Sequence, residues 1–232
     1  MLANIHSAFA SRGFDIVHPF KTSWLSQKGN AGNLHLLQRQ PDKVAVGLLI
    51  GNTKNIWPHF VSSLNKDLPI NPLDMFVEHE IARLTSSLSV NDIFFAHERS
   101  SDRIISFQKL ASCTNLAHYS EELGLCVHKT YGTWFAFRAA VMLDGVCFAD
   151  LGLEDARAPQ KQLEFPCTEE TKATAAQRMK RLLSGKDCDW LGLRDTVIVG
   201  RKWRYDAAQL QYHYAATPVE RLNFLKKYLE LR

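Results

Sequence analysis

The chain lacks paired cysteines. Its five, Cys113, Cys126, Cys147, Cys167 and Cys188, are odd in number and no two form a C-x-x-C pair. That argues against a disulfide framework and a zinc ribbon, and a reducing compartment is the simplest setting. It also lacks charge of one sign. Lys plus Arg is 28 against 24 for Asp plus Glu, a net charge of +4, and the basic residues are spread out, so the electrostatic footprint of a nucleic-acid binder is missing. No apolar run approaches the ~20 residues that span a bilayer. The N-terminus has no charged-then-apolar leader. Neither G-x-x-x-x-G-K-[ST], G-x-G-x-x-G after a strand, G-x-S-x-G nor H-E-x-x-H occurs. His79-Glu80 and His97-Glu98 lack a second His at metal spacing, so P-loop, dinucleotide-fingerprint, nucleophile-elbow and zinc-protease readings lose their motifs.

What is present is a globular composition, with 46% hydrophobic and 10% aromatic residues in 232, enough to build a real core and to argue against disorder. Residues 1–12 read as an amphipathic helix, with Leu2, Ile5, Phe9 and Phe14 near helical spacing. Residues 26–43 read as a loop and Lys43–Ile50 as a buried strand. Asn52 or Thr53 is then placed to cap a short helix through Phe60. Asn71-Pro72 opens a helix over about 72–87, Asp92–His97 reads as a strand, and a helix is favoured for Phe107–Leu116. Leu123–His128 and Trp134–Leu143 read as two adjacent strands joined by a turn at Lys129–Thr133. After an irregular connector over 154–168, Thr168–Leu183 is a helix stopped by Gly185. Thr217-Pro218 starts the last helix, with Leu222, Leu225 and Leu229 on one face. Strands and helices mix without a βαβ beat, which points to an α+β fold.

Three arginines stand out. Arg138 lies inside an apolar strand directly after Trp134, Phe135 and Phe137. A guanidinium there needs a buried carboxylate partner or an anion in an aromatic-walled pocket. Arg194 follows Trp190 and precedes Asp195, which suggests either a surface salt bridge or the same kind of pocket. Arg221 sits in the first turn of the last helix, where the dipole disfavours a cation. Cys126, inside a strand, reads as a buried small hydrophobe, with a thiol facing a ligand as the other reading.

Several blocks, taken in order, resemble the CblC family of intracellular cobalamin-processing proteins, cyanocobalamin reductases and alkylcobalamin dealkylases. They are G-F-D-I-V-H-P-F at Gly13–Phe20 with Trp24, the strand Val44–Ile50, and N-P-L-D at Asn71–Asp74. The strongest is C-V-H-K-T-Y-G-T-W-F-A-F-R at Cys126–Arg138. D-W-x-x-x-R-D at Asp189–Asp195, Arg204-Tyr205 and T-P-V-E-R-L at Thr217–Leu222 complete the set. Because the match begins at Gly13, little room is expected for a transit peptide. The Pro/Ser-rich tail of some animal members has no counterpart in these residues. Two segments depart from the family pattern. Its A-A-H-x-x-G is Leu110-Ala111-Ser112-Cys113-Thr114-Asn115 here, and its G-G-W turn is Gly132-Thr133-Trp134.

The resemblance implies one catalytic domain over 1–232, a mixed, mainly antiparallel sheet flanked by helices as in flavin-dependent nitroreductases, and a cytoplasmic location. It implies a cobalamin bound base-off whose upper axial ligand is removed. Reductive decyanation would use FMN or FAD, with NADP. Dealkylation would use glutathione as co-substrate. Arg138, Arg194 and Arg221 match the family's glutathione arginines. Ala96, His97, Ile105, Ser106, Phe107, Gln108, Tyr119, Ser120, Glu121, Cys126 and Phe137 match its cobalamin contacts. No catalytic side chain and no protein-bound metal is implied, since cobalt is held by the corrin. The implied partners are a flavoprotein reductase and a downstream cobalamin-trafficking adaptor, with a homodimer left open and no nucleic acid or membrane. A non-catalytic cobalamin carrier and a nitroreductase-like flavoenzyme without a corrin are the other readings.

Overall fold

A computed structural model describes residues 1–26, 31–38, 45–154 and 157–231; the start of the expected strand at Lys43 and Val44 and half of the expected 26–43 loop lie outside them. The helices are α1 (Leu2–Ala10), α2 (Ser23–Ser26), α3 (Ile56–Ser63), α4 (Pro72–Thr85), α5 (Phe107–Cys113), α6 (Glu169–Leu183), α7 (Trp190–Thr196), α8 (Ala207–His213) and α9 (Pro218–Glu230). The strands are β1 (Ile16–Lys21), β2 (Val46–Asn52), β3 (Val90–Phe95), β4 (His118–Ser120), β5 (Leu125–Val127) and β6 (Ala136–Leu143).

One sheet runs β1-β2-β6-β3, and every described pairing in it is antiparallel. The two inner strands read as continuous apolar runs because both of their faces are covered: β2 is buried at every residue and β6 from Ala139 to Leu143. Pro19 sits on β1, an edge strand, where a missing N–H costs no ladder bond. α1 buries Ile5 and Phe9. Phe9 meets the Phe14 ring edge-on, and Phe14 in turn stacks on Phe76 of α4. Trp57 of α3 packs on Tyr212 of α8 and Tyr228 of α9, tying the C-terminal helices to the core. α6 and α7 share a separate small cluster with Leu123, built on Ala175, Met179, Leu182 and Leu193.

The expected pairing of Leu123–His128 with Trp134–Leu143 is corrected. β5 pairs with β4 in a two-stranded sheet (Tyr119 opposite Cys126), while β6 has β2 on one side and β3 on the other. A strand with both ladder edges occupied has none left for β5. The intervening segment closes on itself through reciprocal His128–Gly132 backbone bonds of 2.8 Å. The expected cap is corrected too. α3 has no side-chain cap. Thr53 instead donates from its backbone and hydroxyl to Asp15, fixing the end of β2 to the start of β1.

Candidate functional site

Arg138 owes its position to a β-bulge. Ile50 pairs with Ala139 and the next residue, Gly51, pairs with Phe137, so Arg138 is the extra residue of β6. Bulges re-aim side chains and often sit beside active sites. Gly51 is required opposite it, since a Cβ there would lie 2.7 Å from the Ala136 carbonyl oxygen. The Arg138 Nε donates to Asn52 Oδ1 at 2.6 Å. Its partner is a neutral amide. Among the described residues no carboxylate lies within ion-pair distance of it, so the buried-pair alternative is set aside.

Arg194 comes from α7, whose N-cap Asp189 accepts from the Gly192 N–H at 2.7 Å. It does not pair with its neighbour Asp195, which is held by Arg204 at 2.7 and 2.9 Å. Arg194 donates to the Thr133 carbonyl and to the Tyr214 hydroxyl. Its guanidinium lies 4.4 Å from the Trp134 ring centroid and 5.0 Å from that of Tyr205. Burial alone would lower its pKa, but Tyr205 and Tyr214 outweigh that and raise it. Arg221 is set by the start of α9, where Thr217 caps the Glu220 N–H and the Glu220 carboxylate accepts from the Ala216 N–H. Its Nε is buried with no hydrogen-bond partner among the described residues.

These three arginines, from β6, α7 and α9, line one cavity of about 330 Å³ together with Asp74, Tyr205, Tyr212, His213 and Tyr214. Burial pushes the Tyr212 phenol up to about 12, with Asp74 adding to the shift. Burial, then the three guanidiniums, pushes His213 down to about 3, so at neutral pH the imidazole is uncharged. Burial also lowers Arg138 from its ordinary value, yet a guanidinium stays protonated in proteins. Three cations against one carboxylate, Asp74, leave two positive charges on a partly dry cavity. Such an arrangement selects an anion, and guanidinium forks suit carboxylates.

The other expected residues gather elsewhere. Gln108 on α5 donates to the Gly124 carbonyl at 3.1 Å, and the Cys126 thiol points at the Gln108 carbonyl at 3.7 Å. Phe107 packs 6.0 Å from Phe137. Ser106 caps α5, receiving the Lys109 N–H, and Ile105 before it is buried. Tyr119 and Ser120 lie on β4, with Ser120 buried and Glu121 exposed in the turn that follows. This group adjoins the arginine cavity through aromatic contact, because Phe137 meets Phe135 at 5.2 Å and Phe135 lines the cavity. Ala96 donates its N–H to the Arg138 carbonyl at 2.9 Å. His97 lines a neighbouring cavity of about 300 Å³ that shares Asn71 and Asp74 with the first; its Nε2 meets Glu78 at 2.7 Å. Burial pushes the Cys126 thiol up to about 12, so it stays protonated at neutral pH.

Sequence reasoning missed Asn52, Asp74, Tyr205, Tyr212, His213 and Tyr214. Asp74 and Tyr205 lay within recognised blocks, but nothing in their spacing said they face a cavity. The Tyr212-His213-Tyr214 triplet just before Thr217-Pro218 was the available signal. Two of the replaced positions are absorbed by the structure. Asn115 keeps the left-handed backbone (φ 56°) that a glycine would supply. Thr133 donates its hydroxyl to the Arg194 carbonyl at 3.2 Å while its own carbonyl accepts from that guanidinium. Gly132 before it cannot change, since a Cβ would overlap the Val199 carbonyl.

The chain is similar to known proteins along nearly its whole length. The family model described as the methylmalonic aciduria and homocystinuria type C family matches residues 13–225. A zebrafish (Danio rerio) protein named cyanocobalamin reductase / alkylcobalamin dealkylase is 24% identical over 250 residues, covering 98% of this chain and 93% of the relative. The human protein of the same name is 25% identical over 235 residues, covering 92% and 76%. A crystal structure described as a C. elegans B12-trafficking protein CblC superposes with a TM-score of 0.73 at 17% identity, over 98% of this chain and 95% of that one, and so shares the fold. With the family model spanning all the motif blocks and Arg138, Arg194 and Arg221, the chain belongs to the methylmalonic aciduria and homocystinuria type C family, the CblC family.

Proposed function

We propose that this protein processes cobalamin: it binds the corrin base-off and removes the upper axial ligand, with glutathione as the attacking thiol for alkylcobalamins. The observation that carries this reading is the convergence of Arg138, Arg194 and Arg221 on one cavity with neutral or aromatic partners. Glutathione has two carboxylates, one ammonium and a thiol. Its thiolate form carries two net negative charges and matches the two positive charges the cavity leaves over. Three guanidiniums therefore favour thiolate over thiol, and Asp74 is available to the ammonium. A cavity of about 330 Å³ suits a tripeptide, not a corrin. The macrocycle is placed outside it, against α5 and the β4–β5 sheet, with Phe135 and Phe137 between the two ligands.

In the alkyl transfer the thiolate sulfur attacks the cobalt-bound carbon. An S–C bond forms and the Co–C bond breaks, its electron pair staying on cobalt. Co(III) becomes Co(I), and the alkyl group leaves as a thioether. The cobalt supplies the redox chemistry, while the protein's share is binding, orientation and electrostatics. Reductive decyanation by FMN or FAD rests on the family resemblance alone. No feature of the described residues selects an isoalloxazine ring.

Titrating cobalamin with the protein should shift its visible spectrum to the base-off form; an unchanged spectrum at high protein excess overturns the reading. Methylcobalamin with glutathione under anaerobic conditions should yield S-methylglutathione and cob(I)alamin in equal amounts.

A further inference from the structure

The arginine cavity holds two polar atoms that the protein itself leaves unanswered. The Nε2 of His213 and the Nε of Arg221 are both buried and, among the described residues, both without a hydrogen-bond partner. Both residues line the same cavity. Buried polar groups are nearly always bonded, and an orphan calls for an explanation such as a missing water or ligand. Two orphans on residues that line one cavity, among three convergent guanidiniums, call for a ligand that accepts hydrogen bonds.

We propose that His213 is a ligand-contacting residue of this cavity, donating from Nε2 to a carboxylate oxygen of the tripeptide thiol while Arg221 Nε donates to the same group. This rests on the cavity being the glutathione site. The ring is pre-aimed: it lies 5.3 Å from Tyr205, tilted, and 5.3 Å from Tyr212, near edge-on, so its plane is fixed from two sides. Its charge state suits the role. Buried, and with Arg138, Arg194 and Arg221 around it, the imidazole is neutral at physiological pH. A fourth cation would add repulsion among the guanidiniums, whereas a neutral N–H adds direction without charge. The neutral ring has one donor and one acceptor nitrogen. A carboxylate, which is acceptor-only, takes the tautomer with the proton on Nε2.

The test uses the full chain and glutathione as the probe, with titration calorimetry on wild type, His213→Phe and His213→Gln. The glutamine amide reaches about as far as Nε2 and restores a donor. His213→Phe should weaken glutathione binding at least tenfold, and His213→Gln should stay within threefold of wild type. Circular dichroism and denaturant midpoints check the fold. If the phenylalanine variant binds as wild type does, or both variants lose binding equally, the inference is overturned while the glutathione reading stands. If wild type binds no glutathione, that reading fails and this inference with it. Should His213→Phe not fold, ¹⁵N-histidine spectra of wild type decide. The Nε2 resonance of His213, identified by its loss in His213→Gln, should shift on glutathione saturation, and an unmoved resonance overturns the proposal.

Discussion

Two groups of guanidiniums border α4, and they are built on opposite principles. At one, Arg12 and Arg83 both grip Glu80: Arg12 at 2.9 and 3.0 Å, Arg83 at 2.8 and 3.3 Å, around a carboxylate that is 5% exposed. Burial would raise the Glu80 pKa, but the two arginines outweigh it and lower it. The charges there are answered within the protein. At the other, Arg138, Arg194 and Arg221 are answered by an amide, a carbonyl, a phenol and aromatic faces. Neutral partners orient a guanidinium without neutralising it. The first group is neutralised within the protein, and the second keeps its charge. A count of arginines in the sequence cannot distinguish the two; the partners do.

The contrast is sharpest where each group is cut. Arg138→Ala, Arg194→Ala or Arg221→Ala should each weaken glutathione binding by roughly 1.5–3 kcal/mol, about 10- to 150-fold, the range for hydrogen bonds to charged groups. Calorimetry reads the binding and S-methylglutathione formation the activity. Loss of the fold in all three would mark them as structural and erase the distinction. Glu80→Leu should do the reverse, costing about 1.5 kcal/mol of stability, the low end because both guanidiniums can rehydrate. Glutathione affinity should be unaffected, as denaturant melts and the same titration would show.

Acid separates the two kinds of burial. Burial lowers His18; burial, then Lys129 and His18, pushes His128 down to about 4, and His213 falls to about 3. Unfolded histidines titrate near 6.5. Between about 6.5 and 4 the unfolded chain therefore takes up protons that the folded chain refuses, so stability falls as pH falls through that window. Glu80 contributes in the same direction, but only below the ordinary carboxylate range. Denaturant midpoints should drop from pH 7 to pH 5, and His128→Phe should flatten the slope. The smallest effect concerns thiols. At pH 7.5 iodoacetamide should label Cys147 and Cys188, which are exposed, and spare Cys126, which is buried with its thiol pushed up to about 12. Mass spectrometry of the labelled peptides reads this directly, and rapid labelling of Cys126 would mean that its strand opens.

Helices with a clear start signal were legible in the chain. Thr168 and Thr217 cap α6 and α9 as their positions imply, and Asn71-Pro72 opens α4. α8 was not legible, being a seven-residue helix with too few turns for a periodic face to show. The three arginines were legible as a set through the family blocks, and Arg138 also through its misfit in an apolar strand. Their neutral partners were not, because Asn52, Thr133 and Tyr214 lie 86, 61 and 20 residues away from the guanidiniums they hold.

The amino-acid order alone settled the α+β class, the buried central strands, the capped helices and the family, since these follow from local periodicity, end signals and motif order. Only the folded chain decided that β5 turns away from β6, that a bulge aims Arg138, and that Asp195 goes to Arg204 so that Arg194 keeps its charge. The physical reason is that a side chain's electrostatic role is set by what stands within a few ångströms of it, and those neighbours come from segments whose pairing is a competition among all the strands and helices at once.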